Sequence, residues 1–181
     1  MDLATLQNSL QGENKNPPVE QWDPAFCGDI DLVIKQNGQW FYMGTPIGRQ
    51  PLVKLFASVL KQEQDNYFLV TPVEKVGIQV EDVPFIITEW AWEENFLIVH
   101  SSLGDRLVIS ADNPVELRFN QEQQTWLPYV LVRRNLWARF HQNVFYQLVE
   151  IGSANKCTID GKSRDVLQVF SDSYPVPLGY L

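Results

Sequence analysis

From Tyr67 onward the chain is cut into short runs of β-favouring residues separated by compact turn signals, and this constrains the fold more than any other feature. The runs are Tyr67–Val70, Lys75–Val80, Phe85–Trp92, Phe96–His100, Arg106–Ser110, Val115–Phe119, Tyr129–Arg133 and Leu136–Phe140. Between them stand Glu81–Pro84, Glu93–Asn95, Leu103-Gly104-Asp105, Ala111–Pro114 and Arg134-Asn135. Connections this short join antiparallel neighbours. Gln142–Ile151 then breaks the rhythm: Val144, Phe145, Leu148 and Val149 recur at helical spacing, Gly152 stops them, and His141 caps or flanks the helix. A series of short strands closed by one helix predicts a small barrel or bent sheet with a capping helix. Ser153–Asp165 reads as a polar segment with little periodicity, Val166–Phe170 as a last strand, and the remainder as loop.

The first part of the chain reads differently. Leu3, Leu6 and Leu10 predict a short helix over residues 3–11, and Gly12–Pro18 a linker. Ile30, Leu32 and Ile34 alternate with Asp31, Val33 and Lys35, as on a half-buried strand, and Asn37-Gly38 follows as a type I′ hairpin signal. A two-residue loop there places Ile34 opposite Phe41, Leu32 opposite Met43 and Lys35 opposite Trp40, the last a cation–π pair. Thr45–Gly48 reads as a turn. A helix is predicted from about Arg49 to Lys61, with Pro51 in its first turn and an apolar stripe of Leu52, Leu55, Phe56, Val59 and Leu60. The predicted fold is α+β: two associated subdomains of mostly antiparallel sheet, residues 17–80 and 81–181, behind an N-terminal arm of residues 1–16. The order hairpin, turn, helix in one half and strands, then helix, in the other permits a duplication, although no repeat is visible by residue identity.

Composition excludes several functions. The net charge of −8 argues against general nucleic-acid binding, which needs a basic face, and against attachment to anionic lipid. The two cysteines, Cys27 and Cys157, form no Cys-x-x-Cys and suit a reducing compartment. Residues 1–16 lack a basic segment followed by an apolar one, so no signal peptide is read, and no apolar run approaches the roughly 20 residues of a membrane helix. A cytoplasmic protein is the expectation. Cys27, Cys157, His100 and His141 have no ligand spacing, so no metal site is expected. Neither a P-loop nor a dinucleotide fingerprint is present, so no cofactor is expected.

The chain also carries the run Pro17-Pro18, Trp22, Pro24, Cys27-Gly28-Asp29-Ile30, then Asn37-Gly38-Gln39-Trp40, Pro46-Ile47-Gly48-Arg49, Leu52-Val53, Leu55-Phe56, Leu69-Val70-Thr71-Pro72-Val73-Glu74-Lys75 and Pro84-Phe85. Pro128-Tyr129, Val132-Arg133, Leu136 and Ala138-Arg139 follow in the second half. Over about residues 17–150 this closely resembles the bacterial domain-of-unknown-function 1285 family. The resemblance implies a duplicated core whose C-terminal part is similar to a pleckstrin-homology (PH-like) fold. It further implies a binding site at the junction of the two parts, suited to a nucleotide-like ligand, and a role in signal transduction. No enzymatic activity is implied.

Each candidate site residue has two readings. Arg49 stands at a predicted helix start, where the macrodipole disfavours a cation, so it suits an anion site; alternatively it pairs with Asp29 or Glu74. Thr71, Glu74 and Lys75 flank Pro72 in a turn that can face a cleft, or form a solvated hairpin end with a weak Glu–Lys pair. Arg133 and Arg134 adjoin another turn and can grip a phosphate, or are surface charge. Trp22, Trp40, Phe41 and Tyr42 can stack a base, or fill a core. His100-Ser101-Ser102 with Asp105 invites a hydrolase reading but lacks a nucleophile elbow. The expectation is a non-enzymatic ligand-binding or regulatory module, in which Arg49, Lys75 and Arg133 neutralise a small anion and Thr71 donates a hydrogen bond. The alternatives are a protein–protein interaction module binding a signalling partner, and an enzyme whose site leaves no linear signature.

Overall fold

The computed structural model of the chain describes residues 2–10 and 16–181. The segment read as a linker lies largely outside them. The chain divides into two compact units, one ending at Pro84 and one beginning at Phe85. The class is α+β, with three α-helices among the described residues and mostly antiparallel sheets, the sheet of the second unit being curled into a half-barrel.

In the first unit α1 (Leu3–Leu10) buries Leu6 and Leu10 and packs against α2 (Gln50–Ser58), which buries Val53, Phe56 and Ala57. The strands are β1 (Phe26–Ile34), β2 (Trp40–Tyr42), β3 (Thr45–Pro46), β4 (Leu60–Glu63), β5 (Asn66–Val70) and β6 (Lys75–Val80), in the order β3-β2-β1-β6-β5-β4. All neighbours are antiparallel except the central pair β1 and β6. Two meanders therefore meet along their first and last strands. A parallel pair needs a crossover connection, and α2 supplies its helical part.

The second unit repeats this topology. It contains β7 (Phe85–Glu93), β8 (Phe96–Ser101), β9 (Arg106–Val108), β10 (Val115–Asn120), β11 (Thr125–Arg133) and β12 (Leu136–Phe140), in the order β10-β11-β12-β7-β8-β9. Again two meanders join through a parallel pair, here β12 and β7. Read from β9, the strand order matches that of the first unit. The duplication that residue identity hides is plain in the topology, because side chains diverge faster than a hydrogen-bonded strand order. Helix α3 (Gln142–Ile151) follows, and then a separate sheet of β13 (Ser153–Ile159), β14 (Lys162–Ser171) and β15 (Tyr174–Tyr180).

Several local expectations are corrected. The first hairpin is out of register by one: Leu32 faces Tyr42, Val33 faces Phe41 and Ile34 faces Trp40. The Lys35 amide bonds the Gln39 carbonyl, and Gly38, at φ 86°, closes a turn on the Lys35 carbonyl. Three residues therefore form the loop, a type I turn followed by a left-handed glycine. Lys35 consequently lies over Phe41, 5.5 Å from its centroid, rather than over Trp40, which is buried. The tight two-residue turn sits one strand later, at Met43 (φ 49°) and Gly44 (φ 78°), so Thr45 and Pro46 form an edge strand instead of a turn.

Helix α2 ends at Ser58 rather than Lys61. Leu60 to Glu63 pair with β5, and Leu60 and Leu69 are both fully buried; sheet burial outweighs helix propensity there. The polar segment 153–165 and the C-terminal loop are also β-structure. Asp160 (φ 51°) and Gly161 (φ 72°) make a tight hairpin turn between β13 and β14, and β15 completes the sheet. Gly152 stops α3 for a reason other than left-handed backbone. A Cβ there would lie 3.2 Å from Leu167 and 3.3 Å from Leu178.

Candidate functional site

The residues singled out from the sequence fall in two places in the first unit and one in the second. Arg49 is the N-cap of α2 and exposed, and pairs with neither Asp29 nor Glu74 among the described residues. Thr71 is fully buried. Its Oγ1 accepts the amides of Val73 (3.3 Å) and Glu74 (3.0 Å), while its own amide donates to the Glu74 carbonyl at 2.8 Å. The hydroxyl thus staples the β5–β6 turn.

Lys75 is drawn across the sheet to Glu63, at 2.6 Å, and not to its neighbour Glu74. Its ammonium also lies 4.4 Å from the centre of the Phe68 ring, which packs edge-on against Phe26. Lys61 approaches the other oxygen of Glu63 at 3.3 Å and donates to the Trp22 carbonyl. The Lys75 hydrogen bond holds the Glu63 carboxyl below its ordinary value of 4.5. A depressed carboxylate stabilises the fold above its unfolded pKa, and that contribution is lost as pH falls through the folded value. Because the Glu63 side chain is 36% exposed, the effect is modest, about 0.2–1 kcal/mol. Glu63→Gln is expected to be less stable than the parent at pH 7 and to converge with it once pH has fallen below the depressed pKa of the folded carboxyl, as read from urea midpoints across the pH series.

In the second unit Arg133 donates to Asp105 at 2.6 Å and lies 4.7 Å from the centre of the Phe85 ring. The other carboxylate oxygen of Asp105 accepts the Ser101 hydroxyl at 2.6 Å, and Ser101 Oγ in turn accepts the amides of Leu103 and Asp105. Burial lowers the Arg133 pKa from its usual value, with the adjacent Arg134 adding to this, and Asp105 opposes both. Ser101 is therefore a turn staple bound to Asp105. His100 sits on the opposite face of β8, paired across the strands with Glu89 and Arg106, so the three do not form a hydrolytic relay. Among the described residues no three His, Cys, Asp or Glu side chains come together as a metal site. No helix among them is long and apolar enough to cross a membrane.

A cleft that the sequence reading missed lies where β11 and β12 meet the start of α3. It holds about 320 Å³. Leu127, Pro128, Phe140, Phe145 and Tyr146 give it an apolar, largely aromatic lining, and Gln123, Thr125, Arg139 and Gln142 bring polar groups into it. Three features of the local sequence build it. Strand pairing sets Arg139 opposite Tyr129, and Phe140 follows it at the end of β12. His141 Nδ1 accepts the Asn143 amide and starts the helix. Helical spacing then stacks Gln142 below Tyr146, whose hydroxyl accepts the Gln142 amide at 3.1 Å. The one signal that could have exposed the cleft was an arginine inside the otherwise apolar run Leu136–Phe140, just before a helix start.

Family models divide the chain where the structure does. Residues 17–83 match the N-terminal domain of DUF1285, a domain of unknown function, and residues 84–175 match its C-terminal domain. The chain belongs to the DUF1285 family. A DUF1285 protein from Silicibacter pomeroyi DSS-3 is 36% identical with a TM-score of 0.85, over 99% of this chain and 96% of that one. Another DUF1285 protein, from Shewanella baltica OS155, is 31% identical with a TM-score of 0.53, over 66% of this chain and 90% of that one. No curated protein matches.

Proposed function

We propose that this DUF1285 protein is a non-enzymatic, cytosolic ligand-binding and regulatory module that senses a small organic anion, a nucleotide-like molecule being the case the family resemblance implies. The cleft at the start of α3 carries the reading: an aromatic-walled recess with a guanidinium and several neutral hydrogen-bonding groups is the usual make-up of a small-molecule site. Its position beside a curled sheet followed by a helix agrees with a PH-like second half serving as the sensing part in signal transduction. The test is a thermal-shift screen of the full chain against nucleotides, cyclic dinucleotides, flavins, phosphorylated metabolites and aromatic carboxylates. A ligand at 100 times its Kd adds about 2.7 kcal/mol, a readable shift.

A second reading, a protein-interaction module, has its own observation. Phe119 and Trp126, each 40% exposed, stack edge to face at 5.8 Å, Trp126 meets Tyr180 at 5.1 Å, and the Arg164 guanidinium lies 5.2 Å over Tyr180. Exposed aromatics with an arginine are the residue types enriched at binding hot spots. A blank screen on folded protein transfers the function to this surface.

A further inference from the structure

The outermost strands of the sheets are short, interrupted by proline or covered, with one exception. β3 has two residues, one of them Pro46, β4 has four and β9 three. β10 packs against β15, and its Val115 amide donates to the Tyr174 hydroxyl at 3.0 Å. β15 carries Pro175 and Pro177 and packs against β10 and β11. These are the usual ways of closing a sheet edge. β13 has none of them. It runs for seven residues without proline, glycine or bulge, and no strand among the described residues pairs with its outer side. None of its residues is fully buried. Every second residue of such a strand turns its N–H and C=O away from the strand it pairs with. The Ser153 carbonyl takes the Asn155 side-chain amide at 3.2 Å; the other outward groups form a template for an added strand. We propose that β13 takes up an acidic, extended segment of a partner protein as the fourth strand of this sheet.

Charge selects the partner. Lys156, Lys162 and Arg164 are exposed and enter no ion pair among the described residues, although Asp165 stands directly opposite Lys156. Arg164 lies 5.2 Å over the Tyr180 ring, a contact that leaves its charge uncompensated. Residues 153–165 hold these three cations and two acids, Asp160 and Asp165, for a net +1, so the rest of the chain carries −9 of the total −8. A positive patch on an acidic molecule attracts and orients an acidic segment. Lys156 also argues against a second copy of this chain. It is the middle residue of β13, so two copies paired along all seven residues about a two-fold axis set Lys156 against Lys156. A partner strand with a carboxylate at that position replaces the repulsion with an ion pair. The edge shares no residue with the cleft at α3, so the proposal stands or falls apart from any small ligand there.

The experiment is fluorescence anisotropy of the full chain with three labelled seven-residue peptides that alternate valine with glutamate, glutamine or lysine. Hydrogen exchange is read on the complex, and sedimentation on the protein alone. The glutamate peptide is expected to bind, several-fold more tightly than the glutamine peptide, to weaken as salt is raised, and to protect amides within residues 153–159. The lysine peptide is expected not to bind. Lys156→Glu, at an exposed residue with no ion pair to lose, is expected to keep the parent's melting temperature, weaken the glutamate peptide at least several-fold and admit the lysine peptide. Failure of the glutamate peptide to bind the folded parent, equal binding of all three peptides, protection confined to another edge, or indifference to Lys156→Glu each overturns the proposal. Self-association of the parent with β13 protected also overturns it, because a second copy is then the occupant.

Discussion

Phe56→Ala is expected to cost the first unit about 3–5 kcal/mol, the usual penalty for emptying a fully buried phenylalanine site. Phe56 is fully buried and is the largest side chain that α2 contributes to the core. The loss matters because the unit is small. A domain ending at residue 84 is held by roughly 0.05–0.15 kcal/mol per residue, so the substitution removes a large share of its stability. The melting temperature of this unit is expected to fall by about 10 °C or more, with hydrogen exchange accelerated in β1, β5 and β6 and much less so in β7 to β15. Leu52→Ala serves as the control. The apolar stripe puts Leu52 on the same footing as Phe56, but it is only half-buried, so its removal is expected to cost about 1 kcal/mol. Equal losses at the two positions would show that α2 is not seated as described.

Asp105→Ala is expected to cost the second unit about 2–3 kcal/mol, somewhat below the 3–5 of a fully buried pair because the two side chains are 23% and 24% exposed. Two groups lose their contact with Asp105 at once. The Arg133 guanidinium stays over Phe85 without the Asp105 carboxylate, and the Ser101 hydroxyl loses that acceptor. Burial already disfavours the charged form of Arg133 and Asp105 opposes this, so the loss of that opposition at Arg133 carries most of the penalty. Adding Arg133→Met is expected to recover part of the loss, since a paired apolar replacement removes the buried charge with its partner. The check is a double-mutant cycle from denaturant midpoints. A cycle without coupling would make the pair a solvent-screened contact with no structural weight.

These two networks show why the sequence reading and the structure part company at the candidate site. Thr71, Lys75, Arg133 and Ser101 are polar residues in or beside turns, and such residues advertise binding. The structure spends them on stapling those turns and on neutralising one another. Their partners, Glu63 for Lys75 and Asp105 for Arg133, lie 12 and 28 residues away, and no local pattern encodes a contact at that separation. The cleft at α3 escaped notice for the same reason: its lining comes from a turn, two strands and a helix that strand pairing brings together.

Local chemistry, by contrast, was legible. Periodicity marked α3 from Gln142 to Ile151 and the strands from Lys75 to Phe140 within a residue or two, except where β11 begins four residues early. That is because each of those strands is a run of β-favouring residues bounded by turn signals, and α3 carries an apolar stripe at helical spacing. It failed at β13, where burial alternates only between exposed and half-buried residues and none is fully buried, and the Asp160-Gly161 turn was the usable cue. It failed again at Leu60, apolar in either reading, where pairing with Leu69 made a strand of a helical pattern. The sequence by itself thus determined the class, the net negative charge and most element positions, which follow from side-chain periodicity and charge, and the family, which follows from resemblance in residue identity. Only the tertiary structure decided the parallel seam that repeats in both units, the partners of the buried charges and the existence of the cleft, because each depends on contacts between residues far apart in the chain.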